Sequence, residues 1–230
     1  MSLVHDFINL LLPDLCAACG TPLLRNESVI CLKCRYDLPL TRFDSYTDNP
    51  VARLFWGRVR IENANSYFRY QKGSRFQALI HDLKYRDRKD IGKEFGRLMG
   101  IEFRGSAFAR TDMILPVPLH KRRQIKRGYN QCDPICEGLS ESLGIPFYKD
   151  ILERPMRSSS QTDKSRYNRW VNVDGIFRVK HPEKLNKKHI LLADDVVTTG
   201  STLEACAAAI LDNDGARVSI ATLAVALKSF

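Results

Sequence analysis

The most distinctive residues of this chain are two adjacent acids followed by a short loop of hydroxyl side chains. Asp194 and Asp195 come after an apolar run that begins at Ile190, and a loop of five small residues follows closely. The apolar run is long enough for one strand that is buried on both faces. One apolar helical stripe comes after the loop, formed by Leu203, Cys206, Ala207, Ile210 and Leu211. The pattern predicts a strand, the acidic pair, a polar loop and a helix in direct succession.

The loop has the chemistry of a site for a phosphate monoester. Its residues are Thr198, Thr199, Gly200, Ser201 and Thr202. Free backbone amides and the positive end of the helix dipole would join these hydroxyls, and the glycine lets the backbone close around the anion. Ser201 and Glu204 also have the spacing of a capping box, which predicts that Ser201 caps the helix.

The two acids need a partner other than the phosphate. Carboxylates only accept hydrogen bonds, so Asp194 and Asp195 suit a vicinal diol or a divalent cation. A ligand with a ribose diol a few ångströms from a 5′-phosphate fits both halves of the pattern. The loop is not a Walker A loop, because it lacks the second glycine and the lysine, and it has too few glycines for a dinucleotide fingerprint. The alternative is a strand–turn–helix with an ordinary cap.

Residues 190–202 resemble the phosphoribosyl-pyrophosphate (PRPP) signature of type I phosphoribosyltransferases along their whole length. The resemblance implies that the acids hold the ribose hydroxyls and that the loop wraps the 5′-phosphate. The residues that it assigns to PRPP binding are Asp194, Asp195, Val196, Thr198, Thr199, Gly200, Ser201 and Thr202.

A second segment ends a predicted strand, Met113 to Val117, in two prolines and a group of cations. Pro116, Val117 and Pro118 predict an unusual exit from the strand that leaves backbone amides free to meet an anion. The five cations that follow are Lys121, Arg122, Arg123, Lys126 and Arg127. They cannot be buried together, so they face solvent or a polyanion. Two interpretations stay open: stabilisation of departing pyrophosphate, or a flexible basic loop without a ligand.

This segment narrows the resemblance to the ComF family, whose members join an N-terminal zinc ribbon to a phosphoribosyltransferase-like domain. Besides the proline turn and the PRPP signature, the matching residues are Arg127, Gly128, Tyr129, Asn130, Gln131, Gln161, Arg169, Asn172 and Phe177. The pair Lys84-Tyr85 also matches the family, without a defined role, and Gln161 and Arg169 either line the pocket or only pack.

The resemblance implies a different role for each group of residues in the site. Residues 116–118 become the pyrophosphate loop, and a flexible loop that closes over PRPP carries Lys121, Arg122, Arg123 and Arg127. An enzyme of this kind displaces pyrophosphate from the anomeric carbon, with Mg²⁺ bound together with PRPP. Asp194 and Asp195 would anchor the ribose and offset its developing positive charge, while the four cations neutralise the leaving group.

Four cysteines near the N-terminus form two C-x-x-C knuckles, Cys16 with Cys19 and Cys31 with Cys34. This spacing delivers four thiolates to one tetrahedral zinc ion and predicts a structural site without an open ligand position. Two disulfides would need an exported protein, and a redox pair would not need two copies of the motif. The other cysteines, Cys132, Cys136 and Cys206, are predicted to be core residues on apolar helix faces.

Composition is typical of a globular protein with one substantial core and a small appendage. The 230 residues carry a net charge of +10, and residues 69–127 alone contribute +10 from sixteen Lys and Arg against six Asp and Glu. That asymmetry favours a polyanionic partner, either pyrophosphate or nucleic acid, although a basic surface can also be merely solvated. No apolar run is long enough to span a bilayer. Leu3 to Leu12 is predicted to be a short amphipathic helix rather than a signal peptide, so we expect a cytoplasmic protein without a membrane span.

Strand and helix patterns alternate after residue 50, which predicts an α/β fold with a largely parallel sheet flanked by helices. Strands are predicted at residues 65–71, 113–117, 147–152, 177–179, 190–193 and 218–227, and helices around residues 76–83, 91–99, 129–143 and 203–211. A polar linker, residues 41–50, is predicted to separate the two parts. The expected domains are therefore residues 1–45, with the amphipathic start and the zinc ribbon, and residues 46–230, with the type I phosphoribosyltransferase-like fold.

Three functional hypotheses follow. The first is a phosphoribosyltransferase with an unknown acceptor. The second is a single-stranded DNA-binding accessory protein that acts with competence proteins, because ComF proteins are associated with DNA uptake in natural competence. The third is a sensor that binds PRPP without turnover. Exposed aromatic side chains would support the binding of single-stranded DNA, because bases stack on them. The candidates, Tyr67, Phe68, Tyr70 and Tyr85, are predicted to be core residues instead.

Overall fold

The computed structural model describes residues 13–155 and 176–226. The predicted helix Leu3 to Leu12 and the family residues Gln161, Arg169 and Asn172 lie outside this range. Within it, none of the helices is both long and apolar enough to cross a membrane.

The centre of the fold is a four-stranded sheet in which all strands run parallel. Its order is β1 (Asn63–Arg69), β6 (Arg217–Val225), β5 (His189–Val197) and β2 (Met113–Pro116). β5 and β6 occupy the central positions because both are apolar and buried along nearly their whole length. A separate antiparallel pair contains β3 (Leu152–Glu153) and β4 (Arg178–Val179). The predicted strand at residues 147–152 is wrong in extent, since Phe147 makes only an isolated bridge to Ile114 and regular pairing resumes at Leu152.

Helices cover both faces of the sheet. They are α1 (Leu32–Tyr36), α2 (Gln77–Tyr85), α3 (Lys89–Phe103), α4 (Lys121–Arg127), α5 (Cys132–Leu143) and α6 (Ser201–Leu211), with short 3₁₀ turns at Ala52–Phe55, Ala107–Arg110 and Pro182–Lys184. α5 begins three residues later than predicted, at Cys132 instead of Tyr129. Pro134 therefore lies in the first turn, where its missing N–H breaks no helical hydrogen bond.

The N-terminal ribbon is attached to the edge of the sheet. Leu40 pairs with Phe68 of β1, and the Thr41 amide donates to the Tyr67 carbonyl at 3.1 Å. Residues predicted to form a polar linker are packed: Thr41 and Asn49 are buried, and the ring of Tyr46 lies 4.9 Å from that of Phe108. The ribbon and β1 therefore share a continuous core cluster.

Candidate functional site

The two acids lie near the carboxyl end of β5. The expectation that they follow the strand is wrong, because pairing with β6 continues from Asp194 with Thr222 to Val197 with Val225. Adjacent residues of a strand point to opposite faces, so the two carboxylates enter different surroundings. Both are almost fully buried, with 8% of Asp194 and 4% of Asp195 exposed.

Asp194 is held by neutral hydrogen-bond donors. Its Oδ1 accepts from the Cys132 thiol at 3.2 Å and from the Asp195 amide at 2.8 Å. Burial, followed by the neighbouring Asp195 carboxylate, raises the pKa of Asp194 to about 7. Burial also raises the pKa of Cys132 well above its usual range, which keeps the thiol protonated and able to donate. The prediction that Cys132, Cys136 and Cys206 are buried core residues is confirmed, and Cys132 has this additional contact.

Asp195 is held by a cation. Its Oδ2 lies 2.9 Å from Nζ of Lys84, and its Oδ1 accepts from the Val196 amide at 2.6 Å. The angles at Oδ2 are those of an ion pair without a well-directed hydrogen bond. The structure thus places Lys84, the family residue of undefined role, in direct contact with the acidic pair.

The hydroxyl loop connects β5 to α6. Thr198, Thr199, Ser201 and Thr202 are exposed, whereas Gly200 is buried and adopts φ +77°. The predicted capping box is wrong: Gly200 is the N-cap and provides no side chain, and Ser201 is the first helical residue. Ser201 Oγ instead lies 3.1 Å from Thr199 Oγ1. The first amides of α6 have no intrahelical partner by geometry and face the same space as these hydroxyls.

Residues 54–58, which are distant in sequence, pack against the hydroxyl loop. Nη1 of Arg58 donates to the Thr199 carbonyl at 2.9 Å, and Nη2 forms an ion pair with Glu204. A Cβ at Gly200 would lie 3.1 Å from the Phe55 ring, so the loop is closely packed on residues 54–58. Sequence analysis missed Arg58, because nothing in its local pattern indicates a contact more than 140 residues away.

The loop and one acid line a small cavity. Its volume is about 50 Å³, and its lining consists of Asp194, Val196 and residues 197–203. Of the predicted PRPP-binding residues, the structure brings together all except Asp195 at this cavity. Asp195 lies on the opposite face of the strand, beside Lys84.

Within the proline turn itself, residues 116–118, the one backbone N–H is not free. Pro116 and Pro118 have no N–H, and the Val117 amide donates to the Ala193 carbonyl at 2.9 Å. The Val117 carbonyl in turn accepts from Nδ2 of Asn130 at 3.0 Å. Val117 therefore extends the pairing of β2 with β5, and free amides in the exit that follows, at Leu119 and His120, stay a prediction.

The basic segment is a helix. Residues Lys121–Arg127 form α4, with His120 as the N-cap and Gly128 at φ +85° as the C-cap, so the predicted flexible loop is wrong as a description of its structure. None of its residues is buried, as the density of positive charge requires. The Arg127 guanidinium lies 5.2 Å from the ring of Tyr85, and it also donates to the side chain of Gln131.

The aromatic prediction was only partly correct. Tyr67 and Phe68 are buried core residues, as expected. Tyr85 is not a core residue, because 67% of it is exposed. It follows Lys84 directly, so an exposed aromatic ring and a stacked arginine lie close to the acidic pair.

The four ribbon cysteines converge on one point. The Sγ atoms of Cys16, Cys19, Cys31 and Cys34 all lie within 4.8 Å of one another. Backbone amides donate to two of them, from Cys31 to Cys16 Sγ and from Cys34 to Cys31 Sγ, each at 3.4 Å. A hydrogen bond with Thr21 lowers the pKa of Cys19 to about 6, whereas burial raises that of Cys34. Thiolate ligands at such spacing fit a tetrahedral metal ion, so the cluster could bind a metal such as zinc.

The fold and the site can now be compared with known proteins. Residues 134–229 match the model of the phosphoribosyl transferase domain. The DNA utilization protein YhgH of Escherichia coli K12 is 34% identical over 146 residues, which cover 62% of this chain and 63% of that protein. Competence protein F of Haemophilus influenzae is 32% identical over 130 residues, covering 54% of this chain and 57% of that protein.

The named relatives support the resemblance to the ComF family. Competence protein ComFC of Bacillus subtilis is a further relative, 31% identical over 112 residues that cover 48% of this chain and 43% of that protein. The parallel sheet, its flanking helices and the cysteine cluster confirm the predicted fold class. The chain spans less than two thirds of the length of these relatives.

The similarity to solved structures is low in both sequence identity and TM-score. The glutamine PRPP amidotransferase from B. subtilis, complexed with ADP and GMP, is 14% identical with a TM-score of 0.45 and covers 63% of this chain and 30% of that one. Adenine phosphoribosyltransferase from Leishmania tarentolae is 12% identical with a TM-score of 0.37 and covers 78% of this chain and 88% of that one. Similarities this low carry no argument about the function of the site.

Proposed function

We propose that this protein binds PRPP, or a related ribose 5-phosphate ligand, at the carboxyl end of β5. The observation that supports this most directly is the loop of exposed hydroxyls at the start of α6, which borders the same small cavity as Asp194. Hydroxyls and first-turn amides suit the phosphate, and the acids of β5 suit the ribose hydroxyls. The 50 Å³ cavity is smaller than a whole ligand, so it corresponds to the phosphate end alone.

In this proposal the chain transfers the phosphoribosyl group with little covalent help. Asp194 and Asp195 would orient the ribose and stabilise positive charge at its anomeric carbon. The exposed cations Lys121, Arg122 and Arg123 of α4, together with Arg127, would neutralise pyrophosphate. Mg²⁺ bound together with PRPP would supply positive charge that stabilises the negative charge of the ligand, and the acids of the site that could contribute oxygen ligands are Asp194 and Asp195.

Calorimetry with PRPP and Mg²⁺ tests the binding site. We expect wild-type protein to bind and the double variant Asp194→Asn/Asp195→Asn to lose most of that affinity, because the amides cannot replace two acceptors for the hydroxyls. Asp212→Asn, at an exposed position after the other end of α6, is the matched control and should bind as wild type does. Unchanged affinity in the double variant would contradict the assignment.

Turnover needs a separate measurement, because binding does not establish catalysis. We expect pyrophosphate release from PRPP when the correct base or amine is supplied as acceptor, and a panel of such acceptors would identify it. Binding of PRPP without release for any acceptor would favour a sensor.

Single-stranded DNA is a second proposed ligand of the same protein. The specific observation in its favour is the exposed Tyr85 ring stacked against Arg127, next to a helix that presents cations and buries none of its residues. The relatives named for DNA utilization and competence support a role in DNA uptake. We expect log affinity to fall with log salt by roughly 0.7 per phosphate contacted. Replacing Arg122, Arg123 and Arg127 with Ala should flatten that slope, and an unchanged slope would place the DNA elsewhere.

For the ribbon, we propose one structural zinc ion bound by Cys16, Cys19, Cys31 and Cys34. Four thiolates would leave no open coordination position, so the ion would have no catalytic role.

A further inference from the structure

Lys84 occupies a position that the family resemblance did not explain. It lies in the last turn of α2, and its ammonium is 2.9 Å from Oδ2 of Asp195. Among the ion pairs of the described residues, this is the one that involves either acid of β5. The Lys84 side chain is 24% exposed, whereas that of Asp195 is 5% exposed, so the lysine reaches from the surface to a buried charge.

Contacts at the end of α2 fix the position of the backbone from which the Lys84 side chain extends to Asp195. The Tyr129 hydroxyl donates to the carbonyl of Leu83, which is fully buried. The ring of Tyr129 lies 5.0 Å from the ammonium of Lys89 at the start of α3. The backbone before Lys84 is therefore anchored, and its partly exposed side chain extends from there to Asp195.

The chemistry of PRPP places a second anion close to this ammonium. The carbon that carries pyrophosphate is bonded directly to the carbon that carries the 2-hydroxyl of the ribose. A carboxylate that accepts a hydrogen bond from this diol therefore lies a few ångströms from the first phosphate of the leaving group. The cation paired with that carboxylate is within reach of the same phosphate.

We propose that Lys84 contacts the pyrophosphate of bound PRPP and exchanges part of its contact with Asp195 for a phosphate oxygen. This inference rests on the proposed PRPP site and adds a cation to the leaving-group end. The exchange is chemically reasonable, because a ribose hydroxyl would then donate to Asp195 while the lysine remains nearby. Removing Lys84 should therefore affect PRPP more than ribose 5-phosphate, which has the same 5-phosphate and diol but no pyrophosphate.

The affinities of both ligands, measured by calorimetry with Mg²⁺, test the proposal in four proteins. We expect Lys84→Met to weaken PRPP binding at least about tenfold, the size of a lost hydrogen bond to a charged group, and to leave ribose 5-phosphate affinity equal or higher. Lys84→Arg, which keeps the charge, should retain most of the preference for PRPP. Lys188→Met is the matched control, since it also removes a lysine paired with an aspartate, Asp112, but at the amino end of β5, and it should change neither affinity.

The outcomes distinguish a wrong role for Lys84 from a wrong PRPP site. Equal losses for both ligands in Lys84→Met, or no loss for PRPP, would overturn the role of Lys84 while leaving the PRPP site intact. Absence of binding of both ligands to wild-type protein would overturn the site itself, and the inference with it. If Lys84→Met does not fold, Lys84→Gln keeps a donor for Asp195 without the charge, and the same ratio of affinities decides the question.

Discussion

At the scale of single residues, the two neighbouring acids lie in different surroundings. Asp195 has a lysine within ion-pair distance. Asp194 has a thiol and a backbone amide as partners, and burial makes its ionised form costly. Two adjacent carboxyls whose surroundings differ in this way can divide their work, one as an acceptor and the other partly as a donor.

The raised pKa of Asp194 predicts how stability depends on pH. The folded-state pKa of about 7 exceeds the ordinary 3.8, so the native state binds this proton more tightly than the unfolded chain does. The protonated carboxyl therefore contributes fully to the free energy of unfolding below pH 3.8, and this contribution is lost as the pH rises from 3.8 through about 7. Asp194→Asn imitates the protonated acid, so its stability relative to wild type should improve by about 1–3 kcal/mol between pH 4 and pH 8. Denaturant unfolding at both pH values measures this.

The control for that experiment is Asp212→Asn, which changes an exposed acid. Its effect on the free energy of unfolding should be the same at both pH values. A pH-independent effect of Asp194→Asn would contradict the raised pKa.

Gly200 makes a prediction that separates backbone strain from close packing. With φ +77°, alanine there is strained, and its Cβ would also meet the Phe55 ring at 3.1 Å. Gly144→Ala provides the comparison, because φ is +69° and a Cβ would meet nothing within 4 Å. Both variants should lose about 1 kcal/mol of stability from strain, with a larger loss for Gly200→Ala, and only Gly200→Ala should weaken PRPP binding. Similar ligand affinity in both variants would show that the loop tolerates displacement.

At the scale of elements, the position of α5 depends on glycines that let it approach α3 closely. A Cβ at Gly96 would lie 2.2 Å from the Ile135 carbonyl oxygen, and one at Gly138 would lie 2.0 Å from that of Lys93. This close packing fixes the helix whose first residue, Cys132, donates to Asp194. The contact between two helices far from the ligand therefore contributes to the geometry of the site.

Alanine at these glycines should reveal the difference between a backbone and a side-chain obstacle. Gly96→Ala would push against a carbonyl group and should cost about 1–3 kcal/mol or more in unfolding free energy. Gly92→Ala meets a side-chain atom first, Pro134 Cγ at 2.8 Å, and should cost less. Thermal unfolding of the pair checks the order, and an equal cost would mean that the two helices separate as a unit.

Elements could be predicted from the sequence where they depend on residues that are close together in the chain. The strand, loop and helix around Gly200 were predictable, because each depends on residues next to it. The spacing of Gly92, Gly96 and Gly100 also contained a local signal for close helix packing, which was overlooked. α4 was expected to be a flexible loop because the family resemblance implied one, yet full exposure and the caps at both ends permit a short helix.

The partners of the site residues could not be predicted from local patterns. Lys84, Cys132 and Arg58 reach the site from elements separated from β5 by long stretches of chain. Their contacts depend on how the helices pack on the sheet, which periodicity alone does not determine. The failed capping box has a local cause instead, because the helix begins at Ser201 and Gly200 is its N-cap, and Glu204 forms an ion pair with Arg58.

At the scale of the whole molecule, the ribbon and the sheet are linked on one side only. Buried ribbon residues such as Ile30 and Leu38 belong to the cluster that contains Phe68 and Phe95. The cluster on the other face, with Leu192, Cys206 and Ile210, contains none of residues 13–40, and Phe43, just after the ribbon, packs against it. Loss of the ribbon should therefore weaken the edge at β1 more than the β5–α6 site.

Metal removal tests this asymmetry. Elemental analysis should give one zinc per chain for wild type, and Cys31→Ser should lose the metal, because it removes one of four converging thiolates. Hydrogen exchange should then show lost protection in residues 13–38 and partial loss in β1, with α6 and the centre of β5 still protected. Cys136→Ala changes a buried cysteine outside the cluster and should keep the zinc. Full zinc occupancy in Cys31→Ser would show that Cys31 is not a required ligand, and a metal-free wild type with a protected ribbon would show that the cysteines hold the ribbon together without an ion.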